Sequence, residues 1–260
     1  MSAPGTATPA PDAPAGVEPA ANAGVPRTGN PVPDTAVAAM FDDIAPVYDR
    51  MNTIMTLGLD GGWRRAAVAA SGLEPGSAAI DVACGTGKLA AALAERVGPF
   101  GRVLAVDLAP AMIAEAKAHH RDLVQLEFRV GDALALPVED GSFDAATIAF
   151  GIRNLADFEA GFRELTRVVR PGGSVVCLEL SVPRPRAWGR VYHGVFRRSA
   201  PILGSLFRRG DAYRYLPTSL DGFPDPDTLA GTMIRAGLTD VSFRRFALGV
   251  VALHRGRVPG

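Results

Sequence analysis

Three carboxylates and a glycine-rich turn stand where a chain could grip a small charged ligand. Asp81 lies in Ile80-Asp-Val-Ala-Cys-Gly-Thr-Gly87, a run that joins a short apolar stretch to a helical one. Asp107 ends Val103-Leu-Ala-Val-Asp107, and Asp132 sits in Gly131-Asp-Ala133. Glycines at such a turn let backbone approach a ligand that a Cβ would block. Three cofactor classes compete for the turn. A phosphate-binding loop needs Gly where Val82 stands and Ser or Thr where Leu89 follows Lys88, so it is excluded. Gly85-x-Gly87-x-x-Ala90 meets the dinucleotide fingerprint literally, but Asp81 would repel a pyrophosphate. S-adenosylmethionine (SAM) fits the whole set. Asp81 can receive the methionine ammonium, through water. Asp107 can accept hydrogen bonds from both ribose hydroxyls, and Asp132, beside Ala133, from the adenine amino group. Gly85, Thr86 and Gly87 form the loop between them.

These acids need strand ends to hold them. Apolar periodicity predicts helices over 60–70, 87–97, 111–119, 158–169 and 225–236. It predicts strands over 78–82, 102–106, 124–130, 143–150 and 175–180, and a closing hairpin from 241–246 and 249–254. The 158–169 helix stops at Arg170-Pro-Gly-Gly173. Alternating strands and helices imply an α/β fold: a doubly wound, mostly parallel seven-stranded sheet, Rossmann-like, with a C-terminal antiparallel hairpin. Each of the three acids then falls at a strand's carboxyl end, where open α/β sheets bind ligands.

Composition sets the limits. The chain has 260 residues, 27 basic and 27 acidic, so its zero net charge argues against a global polyanion binder and nucleic acid is not an expected partner. Cys84 and Cys177 are too few for a disulfide framework or a cysteine-based zinc site, and four scattered histidines predict no metal. No apolar run is long enough to span a bilayer, and the N-terminus lacks the pattern of a secretory signal. Residues 1–34 hold eight prolines and no aromatic residue, a composition that cannot offset chain entropy by burial. The reading is a disordered tail over 1–36 and one domain over 37–257.

Further runs carry a resemblance. They are Phe41-Asp-Asp-Ile-Ala45, Tyr48-Asp-Arg-Met-Asn52, Trp63-Arg-Arg65, Ala135-Leu-Pro137, Phe150-Gly-Ile-Arg-Asn154, Leu178-Glu-Leu-Ser181, Tyr213-Arg-Tyr-Leu-Pro217, Phe223-Pro224 and Val251-Ala-Leu-His254. With the loop and Arg-Pro-Gly-Gly, the chain resembles class I SAM-dependent methyltransferases, and within them the ubiquinone/menaquinone biosynthesis C-methyltransferase family. Thr56-Leu-Gly-Leu-Asp60 is similar to the demethylmenaquinone-methylating branch; Asp60 stands where another branch has His. Ala149 stands where the family often has a cofactor-contacting Ser. The resemblance implies a SAM-dependent enzyme that methylates a ring carbon of a polyprenylated quinol, demethylmenaquinol to menaquinol. A methoxybenzoquinol of ubiquinone synthesis or an aromatic polyketide is the alternative acceptor. A SAM- or NAD-binding module without methyl transfer is the alternative of another class.

Ring-carbon methylation needs a proton acceptor and a group that stabilises the developing oxyanion. The resemblance implies that Arg153 and Asn154 serve the reaction, Arg153 as oxyanion stabiliser and Asn154 as orienting group. An ordinary ion pair between Arg153 and Asp157 is the competing reading. Tyr48 either bonds the substrate or packs as a lid. His193, Tyr213 and Tyr215 lie in the region expected to cover the substrate. From 182 to 222 the chain interleaves Arg184, Arg186, Arg190, Arg197, Arg198, Arg208 and Arg209 with large apolar residues. A basic amphipathic insert of this kind reads as a contact with the inner membrane surface, which would make the protein cytoplasmic and peripherally membrane-associated. A homodimer is compatible with the sequence.

Overall fold

The computed structural model describes residues 28–181, 219–220 and 222–260. The calls on His193, Tyr213, Tyr215 and most of the basic insert, and those on the first 27 residues, lie outside them. Two N-terminal helices, α1 (Asp34–Met55) and α2 (Asp60–Ser71), precede the alternating unit. That unit runs β1 (Ala78–Val82), α3 (Lys88–Val97), β2 (Arg102–Asp107), α4 (Pro110–His119), β3 (Leu126–Val130), β4 (Phe143–Ala149), α5 (Phe158–Val168) and β5 (Val169–Leu180). Helix α6 (Pro226–Arg235) and strands β6 (Thr239–Phe246) and β7 (Val251–Arg257) close the chain.

The sheet order is β3-β2-β1-β4-β5-β7-β6. β1 pairs in parallel with both β2 and β4, and β7 runs antiparallel to β5 and β6. The chain therefore winds outward from β1 in both directions, and the crevice at the carboxyl ends of β1 and β4 is the switch point where ligands bind. The expected doubly wound sheet with its C-terminal hairpin is the fold observed.

Helix positions follow local chemistry. α5 is capped by the Asp157 side chain, which accepts from the Ala160 N–H at 2.9 Å, and it buries Phe158, Phe162, Leu165 and Val168 against the sheet. Each such side chain contributes about 1.5–3 kcal/mol when fully buried. β5 begins at Val169, six residues earlier than periodicity predicts. Phe143 pairs with Val169 and Ala145 with Ser174, so residues 170–173 bulge out of the ladder and the helix signal hides the strand's first residue.

α1 has no counterpart among the predicted elements. Pro46 lies inside it, which removes one ladder hydrogen bond and blurs the helical pattern. It is held on the domain by side chains. Asp42 accepts from the Ala111 N–H at 2.7 Å, so α1 caps α4. Thr86 donates to Asp49 at 2.7 Å, and Lys88 pairs with Asp49 at 3.3 Å. The packed chain also starts before position 37. Asn30 is buried and donates to the Asn154 carbonyl, and the Phe158 N–H donates to the Thr28 carbonyl.

Candidate active site

Beneath α1, at the switch point, lies a cavity of about 710 Å³, part of it open to solvent. α1 roofs it with Asp34, Val37, Phe41 and Tyr48; the sheet end floors it with Ala83, Gly85, Asp107, Asp132 and Ala133. Both Asp107 oxygens are held by backbone, one by the Gly85 N–H at 2.7 Å and one by the Ala109 N–H at 3.0 Å. Burial pushes the Asp107 carboxyl up, and these N–H groups pull it back. Asp132 accepts from the Leu134 N–H at 2.8 Å, an Asx turn that fixes Ala133 beside it.

Asp81 is buried beneath the loop. Thr147 donates to its Oδ1 at 2.6 Å, while Oδ2 has no hydrogen-bond partner. Burial, resisted by the Thr147 bond and the Arg64 charge, pushes its carboxyl up to about 7. Ala83 and Phe150, both lining the cavity, adopt left-handed backbone, φ 53° and 58°. Such strain at non-glycine residues is typical of ligand sites. Gly151 is required between them, because a Cβ there would lie 2.5 Å from that of Ala83.

The sequence-predicted binding residues divide. Gly85, Asp107, Asp132 and Ala133 line the cavity. Thr86 turns away to bond Asp49 on α1. Gly87 is glycine for packing: its φ is +82°, and a Cβ would sit 2.8 Å from the Phe128 ring. Ala149 packs against the cluster of α2 and α3 side chains on the sheet. Cys84 is buried, and burial pushes its thiol well up, as befits a small packing residue.

A second, larger cavity, about 1300 Å³ and partly open to solvent, shares Phe41, Tyr48 and Phe150 with the first. Met40, Ile44, Met51, Met55, Trp63 and Leu180 make most of its wall apolar, and Asp60, Arg64 and Arg153 supply charge. Arg153 is buried and pairs with Glu179 at 2.6 Å; it also donates to the Phe150 carbonyl at 2.7 Å and to the Ser219 hydroxyl at 3.3 Å. The expected competing partner, Asp157, is instead the α5 cap. Asn154 falls on the smaller cavity, one residue further along the same 3₁₀ turn, so the Arg-Asn pair is split between the two spaces.

Sequence reasoning missed Glu179, Asp60 and Arg64. Burial pushes the Glu179 carboxyl up, opposed first by the Arg153 charge. Glu179 lies on the strand beside Arg153's turn, so no local spacing connects them. Asp60 and Arg64 are one helical turn apart on α2, a pattern that reads as an ordinary surface pair unless the helix is known to face a cavity.

The smaller cavity suits an adenosyl group bearing an amino acid. Asp107 and Asp132 present carboxylates that can accept from hydroxyl and amino groups, and one oxygen of the buried Asp81 has no hydrogen-bond partner. Fold and site together define a class I SAM-dependent methyltransferase. The ubiE/COQ5 methyltransferase family model matches residues 30–258, and the chain belongs to that family. A demethylmenaquinone methyltransferase of Thermus thermophilus is 45% identical over 223 residues, 85% of this chain and 100% of the relative. A ubiquinone/menaquinone biosynthesis C-methyltransferase UbiE of Geobacter sulfurreducens is 37% identical over 84% of this chain and 86% of its own length. Among solved structures, a SAM dependent methyltransferase from Aquifex aeolicus superposes with TM-score 0.54 at 18% identity, covering 75% of this chain and 89% of that one, a likeness of fold.

Proposed function

We propose that this enzyme methylates a ring carbon of a prenylated naphthoquinol, turning a demethylmenaquinol into a menaquinol. The observation that carries this reading is the larger apolar cavity meeting the smaller one at Tyr48 and Phe150. Relatives named for demethylmenaquinone methylation, at 37–45% identity over most of the chain, support it. Bound in the smaller cavity, SAM supplies a methyl group already activated by its sulfonium.

The acceptor side falls to this chain's own residues. A ring carbon becomes a good nucleophile only when the neighbouring hydroxyl gives up its proton. Among the described residues lining the larger cavity, Asp60 carries the carboxylate, and Thr56 donates to its Oδ1 at 3.2 Å. Asp60 takes the hydroxyl proton. Arg153 stabilises the resulting oxyanion as a hydrogen-bond donor whose full charge is already matched by Glu179. Tyr48 sits where the two spaces meet and aligns the acceptor with the donor; Asn154 works from the donor side. Asp81, Gly85, Asp107, Asp132 and Ala133 hold the donor, with Thr86 and Gly87 shaping the loop and Ala149 beneath it.

The prenyl chain brings the enzyme to a membrane, where its acceptor resides. Leu57, Leu59 and Leu248, all on the larger cavity's wall, are 86%, 53% and 69% exposed, an apolar rim suited to the cytoplasmic face of a bilayer. No helix among the described residues is long and apolar enough to cross one. A 2-polyprenyl-6-methoxybenzoquinol is the second acceptor, favoured by the relative named for both quinones. Deleting the gene in a menaquinone-producing host and extracting its quinones tests the assignment. Accumulation of demethylmenaquinone, reversed by the restored gene, is expected; an unchanged menaquinone pool would refute it.

A further inference from the structure

The turn that carries Arg153 and Asn154 is fastened on two sides, and one fastener stands 124 residues earlier in the sequence. Glu179 holds the Arg153 side: it accepts from the Arg153 backbone N–H at 3.4 Å and from the guanidinium at 2.6 Å. Asn30 holds the other side. Its backbone N–H donates to the Leu155 carbonyl at 2.7 Å, and its Nδ2 donates to the Asn154 carbonyl at 3.2 Å. Its Oδ1 accepts from the Val32 N–H at 3.2 Å, an Asx turn that orients the amide. Asn30 is buried and uses both ends of its side chain, a combination that neither Asp nor Leu can reproduce. Its neighbours complete the seat. The Thr28 carbonyl accepts from the Phe158 N–H at 2.8 Å, which satisfies one of the donors that the first turn of α5 leaves open. Gly29 lets the two backbones touch, since a Cβ there would lie 1.7 Å from the Ala156 carbonyl oxygen.

We propose that Asn30 is a positioning residue for methyl transfer: it holds the 151–155 turn in the placement that puts Arg153 on the acceptor side and Asn154 on the donor side. The inference rests on the reading that Arg153 and Asn154 serve the reaction, and adds the residue that sets where they stand. Gly151, Asn154 and Leu155 line the smaller cavity and Arg153 the larger. A shift of the turn therefore moves groups on both sides of the reacting atoms at once. Misplacement by about 1 Å can cost on the order of 10²-fold in rate. The roof of the donor cavity has ties of its own, from Asp42 to the Ala111 N–H and from Asp49 to Thr86 and Lys88. Loss of the Asn30 side-chain bond thus disturbs turnover more than donor affinity.

Single-turnover methyl transfer from saturating SAM to demethylmenaquinol in vesicles, with calorimetry of S-adenosylhomocysteine, tests this on the full chain. Asn30→Asp keeps the volume, the backbone donor and the Asx turn, but faces the Asn154 carbonyl with a second acceptor. It should lower the rate by about 10- to 100-fold. S-adenosylhomocysteine affinity should fall by no more than about threefold. Gly29→Ala unseats the same segment, so adding Asn30→Asp to it should slow the reaction by no more than about a further twofold. A rate within about twofold of wild type in Asn30→Asp, whatever its Tm, would make Asn30 merely structural and overturn the proposal. Equal losses of rate and donor affinity would overturn it too. Hydrogen exchange on the wild-type protein needs no variant to fold: the Asn30 and Phe158 amides should be protected, and exchange of both at the free-peptide rate would also count against it decisively. Arg153→Met as fast as wild type would instead sink the reading beneath the proposal.

Discussion

Removing Arg153 or Glu179 separately should cost far more stability than removing both. Their side chains are 4% and 1% exposed and meet at 2.6 Å. Replacing one partner of so buried a pair leaves an uncompensated charge, at about 3–5 kcal/mol. For a domain of this size that lowers Tm by roughly 6–20 °C. The two single variants should differ with pH. In Arg153→Met, the stranded Glu179 can take up a proton, because burial already pushes its carboxyl up. Its folded value lies above its unfolded one, so the penalty is greatest at high pH and fades as pH falls through the folded value. In Glu179→Leu, the stranded guanidinium cannot neutralise, so the penalty persists across the range. The double variant Arg153→Met/Glu179→Leu should return to within about 1–2 kcal/mol of wild type, since a well-packed apolar pair replaces an ion pair at little cost. Turnover should not return, because the donor to the acceptor oxygen is gone, a loss of about 10²–10³-fold. Urea denaturation at several pH values with single-turnover methyl transfer measures both. A double variant as unstable as the two single losses summed, or one that turns over within a few-fold of wild type, would refute the reasoning.

Asp81, pushed up to about 7, is partly protonated near neutrality, and a ligand ammonium favours its ionised form. S-adenosylhomocysteine should therefore release a proton on binding around pH 6.5, and its affinity should climb with pH through about 7 and then level; calorimetry in buffers of different ionisation enthalpy would show proton uptake if this is wrong. Asp60→Asn should lower turnover by about 10²–10⁴-fold while changing S-adenosylhomocysteine affinity only a few-fold; a matched loss of both in kinetics and calorimetry would assign Asp60 to binding. Thr86→Val removes the 2.7 Å hydrogen bond that ties the donor loop to Asp49 on α1, worth about 1.5–3 kcal/mol. Stopped-flow displacement should then show S-adenosylhomocysteine leaving about tenfold faster or more, and an unchanged rate would free α1 of any role in retention.

What the sequence made legible was what lies at strand ends. Asp81 and Asp107 each lie at the end of an apolar strand that leads into a helix, and Asp132 follows directly after β3, so their place at the crevice follows from topology alone. Which atoms face the ligand did not follow. Gly87 serves a packing contact with Phe128, and Thr86 serves a tie to α1, because both depend on elements distant in sequence. The acceptor cavity was least legible. Asp60, Arg64, Arg153 and Glu179 come from three separate stretches, and only the docking of α1 and α2 over the sheet brings them together.

The most direct measurement supplies vesicles containing demethylmenaquinol or a 2-polyprenyl-6-methoxybenzoquinol with methyl-labelled SAM, then locates the label by mass spectrometry and NMR of the extracted quinones. Label on a ring carbon of the naphthoquinol, with far less on the benzoquinol, is the result the proposed assignment predicts. Label on an oxygen, or none on either quinol from protein that binds S-adenosylhomocysteine normally, would contradict it.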